Sequence, residues 1–362
     1  MTLRRTTLYQ AHHDAGAKLA DFGGWEMPIE YPTGVVAEHT AVRTGVGMFD
    51  VSHMGKLVLR GPGAAAALNA VLANDLERIE AGQAQYSMLC NEAGGVVDDL
   101  IVYRLGDDAV RIVPNAANAA TVRDALRAAL PQDVILEDRH EAEGILAIQG
   151  PASREVVVAL GLLDAADELP YMAFRACTFE GTDGVLCRTG YTGEHGYEVI
   201  IGTAALPALW AGAVAAGAVP AGLGARDTLR TEMGYPLHGQ DLSPAITPLE
   251  AGLSWAVGWE KPAFHGREAL VAQRAAGRPR ALRGLRVEGR GIPRAHMPVV
   301  SSAGEAVGET TSGTFSPTLR TGIALALVDP GLAFDDAVAV DVRGRAVPAR
   351  VVRLPFVPAS PK

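Results

Sequence analysis

The pattern of apolar residues changes at AAGRPR, residues 275–280, and this change most constrains the fold. Before it, strand-like apolar runs alternate with segments of helical spacing. After it, only short alternating strands follow, each broken by glycine or proline. Such a series of short strands is typical of a β-barrel or a jelly roll. The sequence therefore predicts an α+β chain that ends in a separate β-barrel or jelly-roll domain, residues 280–362.

Several elements before this boundary follow from periodicity. Between Gln85 and Asn115, apolar runs are separated by Gly-Gly and by Gly-Asp-Asp, which predicts an antiparallel meander. The spacing in AATVRDALRAAL predicts a helix that ends at Pro131. Further helices are predicted in GPGAAAALNAVLAND, in GPASREVVVALGLL and at the start of GARDTLRTEMGYPLHGQDL.

The composition excludes several classes of function. The 362-residue chain has a formal net charge of −9, whereas bulk nucleic-acid binding needs a surplus of Lys and Arg. No apolar stretch approaches the length of a membrane span, and the first residues lack the apolar core of a secretory signal. We therefore expect a cytoplasmic protein that binds neither nucleic acid nor membrane.

Cysteine and histidine show no pattern of a metal site. Cys90, Cys177 and Cys187 are too few and too scattered for a disulfide framework or zinc, and Cys90 and Cys187 lie in apolar runs that predict burial. The nine histidines include no HExxH motif. We interpret His12 and His13 as an exposed helix face, and we expect no metal.

The segment RTGYTGEHGYEV, Arg188 to Val199, has a glycine at every third position and four large polar side chains among them. Neither a collagen-like repeat nor a phosphate-binding loop fits it. The glycines indicate a turn in which the backbone takes positive φ values or packs very closely. A plain hairpin before the strand Val199–Ile201 and a binding site are both open interpretations.

The residue most indicative of chemistry is Asp99 in GGVVDDLIVYR. In a strand, Asp99 shares a face with Ile101 and Tyr103, and Asp98 lies on the other face, so each carboxylate falls among apolar residues. An unpaired buried carboxylate costs several kcal/mol or takes up a proton. The alternative is that the two aspartates shape the Gly-Gly turn with their side chains in water.

Other polar residues allow two interpretations each. Asn115 and Asn118 can cap the following helix or hold a ligand by their amides. Arg226 can form an ion pair with Asp227 or belong to a site, and Trp255 is expected in the core. Six arginines in GRPRALRGLRVEGRGIPR can receive an acidic partner or form a solvated linker and strand face: Arg278, Arg280, Arg283, Arg286, Arg290 and Arg294. No catalytic triad, reactive cysteine or GxGxxG fingerprint stands out.

Taken together, six motifs resemble the T-protein family of the glycine cleavage system, the aminomethyltransferases. The resemblance covers about His39 to Pro358, and each motif is modest alone, but six in the correct order are specific. The motifs are EHTAVRTGVGMFDVSHMGKLVLRG, NEAGGVVDDLIVYR, RTGYTGEHGYEV, GLGARDTLRTEMGYPLHGQDL, TPLEAGLSWAVGWEK and TSGTFSPTLRTGIALALV.

The resemblance implies a three-domain cloverleaf around a central folate site. Two mixed α/β domains would share residues 1–275, one formed by roughly 1–53 with 138–275 and the other by 54–137, and the β-barrel would occupy 280–362. The implied reaction passes a methylene group to tetrahydrofolate from an aminomethyl group on the lipoylated H-protein, and it releases ammonia. Tetrahydrofolate would be a co-substrate, and the H-protein the partner.

The resemblance also implies roles for single residues. Asp99 matches the essential aspartate beside the reactive edge of the folate, and Glu198 matches a carboxylate that accepts hydrogen bonds from the pterin. Tyr191 would grip the ring together with Glu198 while the glycines turn around it. The remaining matched positions line the folate slot or contact substrate: Met54, Tyr86, Tyr103, Asn115 and Arg226.

One departure and two rival functions follow. The family often ends in a tyrosine-containing tail after PFVP, whereas this chain has ASPK there, which puts a contact from that tail in doubt. The nearest rival is a folate-dependent demethylase of a small methyl donor, such as a sulfonium compound. The other is a non-catalytic folate-binding protein of iron–sulfur cluster maintenance, but such relatives carry a cysteine-containing GCYxGQ motif where this chain has GYTGEHG.

Overall fold

The computed structural model describes residues 2–358 and residue 361, so most of the ASPK segment lies outside the described residues. The described chain combines helices with three open sheets and a closed barrel. The α-helices are α1 (Tyr9–Asp14), α2 (Val35–Thr44), α3 (Ala64–Asn69), α4 (Ala119–Ala129), α5 (Ser153–Ala159), α6 (Leu206–Ala215), α7 (Leu223–Glu232) and α8 (Arg267–Ala276). Among the described residues, no helix is both long enough and apolar enough to cross a membrane.

A six-stranded sheet forms the centre of the N-terminal half, in the order β10-β11-β12-β9-β3-β13. Its strands are β3 (Gly47–Asp50), β9 (Glu143–Gln149), β10 (Phe174–Phe179), β11 (Thr182–Cys187), β12 (Gly196–Gly202) and β13 (Val219–Pro220). One core cluster joins this sheet to helices α5 and α6 through Leu146, Val157, Val199 and Leu209. A separate hairpin, β1 (Lys18–Phe22) and β2 (Trp25–Glu30), precedes α2.

A five-stranded antiparallel sheet has the order β5-β6-β7-β4-β8. Its strands are β4 (Leu57–Arg60), β5 (Gln83–Cys90), β6 (Val96–Arg104), β7 (Ala109–Pro114) and β8 (Ile135–Asp138). On β6, Leu100 and Val102 pack into the core beneath α3 and α4, whereas Ile101 and Tyr103 pack into a second cluster on the other face. The predicted meander and the predicted alternation along β6 are therefore confirmed.

The C-terminal strands close into a barrel of order β14-β17-β16-β15-β18-β19. They are β14 (Ala281–Val287), β15 (Pro298–Ser301), β16 (Ala306–Ser316), β17 (Thr321–Val328), β18 (Ala337–Val342) and β19 (Arg345–Val352). Alternate residues such as Leu285, Val299 and Val340 fill the interior, as a small barrel requires. The α+β class and the C-terminal β-barrel are confirmed.

Helix α7 connects the N-terminal half to the barrel through buried charges. The Arg230 guanidinium lies 2.7 Å from an Asp241 oxygen and donates to Ser312 of the barrel at 2.8 Å. Two residues further on, the Glu232 carboxylate accepts from Ser316 of the barrel at 2.5 Å and pairs with Arg43 of α2 at 2.9 Å. One helix therefore fixes the barrel against α2 and the loop of Asp241.

The structure corrects the interpretation of the His12–His13 pair. His13 is exposed, but His12 is fully buried, and its ring bridges the Asp50 carboxylate (3.0 Å) and the Tyr31 hydroxyl (2.9 Å). Only one side of the short helix α1 faces solvent, so adjacent histidines point to different environments. Cys90 and Cys187 are buried as predicted.

The predicted helices form, but two of them are shorter than their apolar patterns. Helix α4 ends before Pro131 as expected, whereas α3 and α5 each end within their second turn. Both continue as irregular turns whose apolar residues, such as Leu72 and Leu163, still pack into a core. The apolar spacing extends beyond the last helical residue because the residues of these turns are also buried in the core.

Candidate active site

Asp99 lies on the face of the five-stranded sheet opposite the α3–α4 core, and neighbouring strands position its partners. The Tyr86 hydroxyl on β5 donates to Asp99 Oδ2 at 3.1 Å. The side-chain amide of Asn115, just after β7, donates to Asp99 Oδ1 at 2.8 Å. Because β5, β6 and β7 are consecutive and adjacent, residues of three neighbouring strands meet at one half-buried carboxylate.

Asp98 is on the opposite side of the strand and is completely buried. Three N–H groups contact it: the Asn115 backbone (3.0 Å), the Asn115 amide (2.9 Å) and the Asn118 amide (2.7 Å). Both asparagines stand at N-cap positions, Asn115 before a short 3-10 turn and Asn118 before α4, but neither side chain makes a capping hydrogen bond, so the side-chain capping interpretation is wrong. The idea that both aspartates are solvated at the Gly-Gly turn is wrong as well.

Burial shifts the protonation of both aspartates. Burial raises the pKa of Asp98 to about 7, reinforced by the nearby Asp99 charge and opposed by the three N–H donors. Burial likewise raises the pKa of Asp99, while His238 and the hydrogen bonds from Tyr86 and Asn115 act against the shift. A carboxylate with a raised pKa can accept and return a proton near neutral pH.

Trp255, predicted to be a core residue, lies at the surface next to this cluster. Its side chain is 64% exposed, and its indole stacks on the Tyr86 ring with centroids 5.8 Å apart. An exposed tryptophan stacked on a half-buried tyrosine is an available platform for a flat ligand. The sequence carried no signal for this position, because the surrounding apolar residues are buried.

Glu198 lies on β12 and is linked to Tyr103 through a threonine. Thr189 donates to Glu198 Oε2 at 2.5 Å, and the Tyr103 hydroxyl lies 3.4 Å from the same threonine oxygen. Burial raises the pKa of Tyr103, and the charge of Glu198 contributes in the same direction. Met54 packs with Tyr103 in one apolar cluster. Glu198, Tyr103 and Met54 therefore form a second wall of the candidate site, which is partly polar and partly apolar.

Arg226 and Tyr191 connect the Asp99 and Glu198 parts of the site. The Arg226 guanidinium lies 4.6 Å from the centre of the Tyr191 ring. Burial lowers the pKa of Arg226, and the charge of Glu198 opposes this. The alternative interpretation of Arg226, an ion pair with Asp227, does not hold, since Asp227 pairs with Arg230. Burial also raises the pKa of Tyr191, with a contribution from the Asp99 charge, so both carboxylates act on one region.

A cavity of about 320 Å³ opens beside Arg226 and Tyr191. Its apolar walls include Phe22, Leu223 and Leu237, and Arg294 of the barrel side lines it as well. Within the described residues, Arg226 Nη1 and the Gln240 side-chain oxygen are buried without a hydrogen-bond partner. This volume is in the range of ligand pockets, and its unpaired donor and acceptor are suited to a polar group on an incoming ligand. The other six predicted site residues do not line this cavity.

The glycines of RTGYTGEHGYEV surround a protein side chain. Gln149 is buried beneath the loop, donates to the Thr189 and Tyr197 carbonyls, and accepts from Thr192. A Cβ at Gly190 or Gly196 would lie 2.0 or 2.4 Å from Gln149 atoms. The loop joins β11 to β12 as a hairpin, and Gly193 takes φ +80°. Close packing on Gln149 thus accounts for the glycine spacing.

The six arginines around the barrel entry have different surroundings. Arg280 forms an ion pair with Glu250 at 2.8 Å, so it is already neutralised. Arg286, Arg290 and Arg294 are exposed.

Among the residues that the structure describes, no group of three or more His, Cys, Asp or Glu side chains could hold a metal ion.

Comparison with known proteins agrees with this architecture. The GCVT N-terminal domain family matches residues 8–261, and the glycine cleavage T-protein C-terminal barrel domain family matches residues 280–358. The chain belongs to the glycine cleavage T-protein family. An aminomethyltransferase of Frankia alni is 59% identical over 99% of both chains, and one of Mycobacterium tuberculosis is 53% identical over 97% of this chain and 96% of its own.

A solved structure gives the same result for this T-protein family member. The glycine cleavage system aminomethyltransferase T from Bartonella henselae superposes with a TM-score of 0.92 at 34% identity, covering 98% of each chain. The predicted family, the predicted fold class and the predicted class of enzyme, a transferase, are confirmed. The roles of the individual site residues stay predictions.

Proposed function

We propose that the chain transfers the methylene group of an aminomethyl-lipoyl carrier protein to tetrahydrofolate and releases ammonia. The family assignment supports the reaction class, and the Asp99 cluster is the observation that supports its site. Tetrahydrofolate reacts at two neighbouring nitrogens, N5 and N10, and a carboxylate with a raised pKa is suited to move protons there.

The atoms of this reaction balance without a metal or an oxidant. The folate nitrogens form two bonds to the transferred carbon, whose bonds to sulfur and to nitrogen break. The two protons lost from N5 and N10 leave on the dihydrolipoyl thiol and on ammonia. In this scheme Asp99 accepts a proton from the folate edge and returns it to a leaving group, while Tyr86 and Asn115 hold the carboxylate in place.

The surrounding residues support a folate in one orientation. Glu198 would accept hydrogen bonds from the amino and ring N–H groups of the pterin, and Tyr103, Met54 and Tyr191 would contact its faces. The aminobenzoyl tail of folate leaves the pterin on the side of N10, which is the Asp99 side. Tyr86 and Trp255 would therefore lie along that tail.

The cavity beside Arg226 is the entry that we propose for the lipoyl arm of the H-protein. Its walls are mostly apolar, as an alkyl arm needs, and Gln240 and Arg226 offer an acceptor and a donor for the arm's amide. Exposed Arg286, Arg290 and Arg294 would attract an acidic carrier. Replacing all three with glutamine should raise the apparent KM for carrier several-fold and flatten its salt dependence. An unchanged KM and unchanged salt dependence would exclude this docking surface.

One assay tests the function directly. The protein is incubated with tetrahydrofolate and aminomethylated, lipoylated H-protein, and methylene-tetrahydrofolate and ammonia are measured. Formation of both in equal amounts is the expected result. Turnover only with a small sulfonium methyl donor would favour the demethylase, and tight folate binding without turnover of any donor would favour the iron–sulfur maintenance role.

A further inference from the structure

Asp98 and Asp99 are held by the same amide, although they project from opposite faces of β6. The Asn115 side-chain nitrogen lies 2.9 Å from Asp98 Oδ1 and 2.8 Å from Asp99 Oδ1. The same nitrogen also lies 2.9 Å from the Asp99 backbone carbonyl, so its two hydrogens are shared among three acceptors, and the Asn115 backbone N–H donates to Asp98 Oδ2 at 3.0 Å. The position of Asn115 at the candidate catalytic carboxylate therefore depends on Asp98.

A second amide extends the network away from the site. The Asn118 nitrogen lies 2.7 Å from Asp98 Oδ1 and 2.9 Å from His238 Nδ1. The other ring nitrogen of His238 donates to the Val96 carbonyl at 3.1 Å, so Nδ1 is the acceptor for Asn118. The three hydrogen bonds at Asp98 are all donated to it, so they favour its ionised form, whereas burial and the Asp99 charge oppose ionisation.

We propose that Asp98 is a positioning residue, which fixes Asn115 and places a second negative charge next to Asp99. The proposal rests on the proposed function, because it concerns the proton chemistry of Asp99. The groups that face the pair are the Asn115 and Asn118 amides, the Tyr86 and Tyr191 hydroxyl side chains, and the His238 ring. Among these, Asp98 is the other carboxylate, so the two aspartates ionise in two linked steps, and the charge of one disfavours ionisation of the other.

The test is the pH profile of turnover in an Asp98→Asn variant. With position 98 neutral, Asp99 is the one carboxylate of the pair left to ionise, so the acidic limb, which in the wild type includes the later ionisation of Asp98, should move to lower pH by about one unit. Turnover at pH 8 should fall several-fold because Asn115 is no longer fixed, while the Kd for folate should stay within about threefold. A purely structural role would lower thermal stability and leave the acidic limb in place.

A second variant and a control guard against misfolding. Asn118→Ala removes a donor that lowers the pKa of Asp98 and keeps both aspartates, so it should move the limb to higher pH, opposite to Asp98→Asn. Asp107→Asn neutralises an exposed carboxylate in the turn after β6, 85% exposed, and should leave the profile unchanged. An acidic limb that stays in place in both Asp98→Asn and Asn118→Ala overturns the proposal.

The outcome also separates this inference from the proposed function. A wild-type protein that binds no folate and forms no methylene-tetrahydrofolate overturns the function, and the role of Asp98 falls with it. An active wild type with an unshifted Asp98→Asn profile overturns only the role of Asp98.

Discussion

Tyr86 joins two side chains of different chemistry, since its hydroxyl donates to Asp99 and its ring supports Trp255. The Asp99 carboxylate, for which we propose a role in proton transfer, and the exposed Trp255 ring are therefore separated by one aromatic ring. In the proposed orientation, the first acts on the reacting nitrogens of folate and the second on its tail. The two contributions can be separated by single substitutions at each end.

The Asp99→Asn substitution should abolish most turnover and keep folate binding. The amide has nearly the same shape, but it cannot take up a proton, so turnover should fall by at least about 100-fold. The Kd for folate, measured by calorimetry, should change by less than about threefold. Asp107→Asn is the matched control, and an Asp99→Asn enzyme that releases ammonia at the wild-type rate would disprove the assignment.

The Trp255→Ala substitution should weaken binding of folate by about tenfold, the usual contribution of a stacked ring. A reduced pterin without the aminobenzoyl tail should bind both proteins equally, because it does not reach Trp255. Fluorescence titration with the two ligands measures the difference. Phe334→Ala, at an exposed aromatic of the barrel half, is the control, and equal losses for both ligands would contradict the tail contact.

The sequence located some of these residues and missed others for physical reasons. Asp99 stands out in the sequence because burying an unpaired carboxylate in an apolar strand is energetically costly in any fold. For Asn115 and Asn118 the sequence alone does not decide between capping a helix and binding a ligand. Their partner Asp98 lies 17 and 20 residues away in sequence, and only the folded meander brings it into contact with them. Trp255 and His12 were assigned by residue type and by neighbours, and tertiary packing placed each in the opposite environment.

At the scale of elements, α7 has two tasks. Its first turns carry Arg226 at the site cavity, and its last turn carries Arg230 and Glu232, which hold the barrel. Alternation, helical spacing and turn residues predicted the meander, α4, α7 and the barrel. They could not predict which side chain packs against the glycines of RTGYTGEHGYEV. That side chain, Gln149, is distant in sequence, and its contact with the glycines leaves no periodic pattern in the sequence around it.

The Arg230→Met substitution should cost about 3–5 kcal/mol of unfolding free energy, because the buried Asp241 charge loses its partner. The double variant Arg230→Met with Asp241→Asn should recover part of this loss, since no buried charge is left unpaired. Chemical denaturation of the four proteins gives the coupling energy.

An exposed ion pair provides the control for that cycle. Arg350 and Glu288 are 47% and 44% exposed, so removal of Arg350 should cost less than about 1 kcal/mol. If Arg230→Met is as mild as Arg350→Met, the buried pair does not hold the barrel in the way described.

For the whole molecule, acid should loosen the contact between barrel and N-terminal half. Hydrogen bonds from His39 and Ser316, with the charges of His39 and Arg43, hold the pKa of Glu232 at about 2 despite burial, against 4.5 as its ordinary value. A depressed carboxylate pKa stabilises the fold above pH 4.5, and this stabilisation is lost as the pH falls towards 2. Melting temperatures between pH 7 and pH 2.5 should therefore decline steeply below pH 4.5.

The Glu232→Gln variant tests this origin. It should be less stable than the wild type at pH 7, and the difference should shrink as the pH falls, because the wild type loses the same charge. Asp50, whose pKa is also held at about 2 by His12, remains in both proteins, so some acid sensitivity should persist. Parallel stability curves for the two proteins would show that Glu232 does not contribute.

The position of Arg230 and Glu232 at the end of α7 restricts which barrel domains can be exchanged between members of the family. A hybrid that keeps this N-terminal half and takes the barrel of a relative must also bring hydroxyl side chains where Ser312 and Ser316 stand. Without them Arg230 and Glu232 keep their charged partners Asp241 and Arg43 but lose these hydrogen bonds to the barrel, so the helix that carries Arg226 is held less firmly against it. The residues of α7 and the barrel serines that contact them are therefore expected to be inherited together.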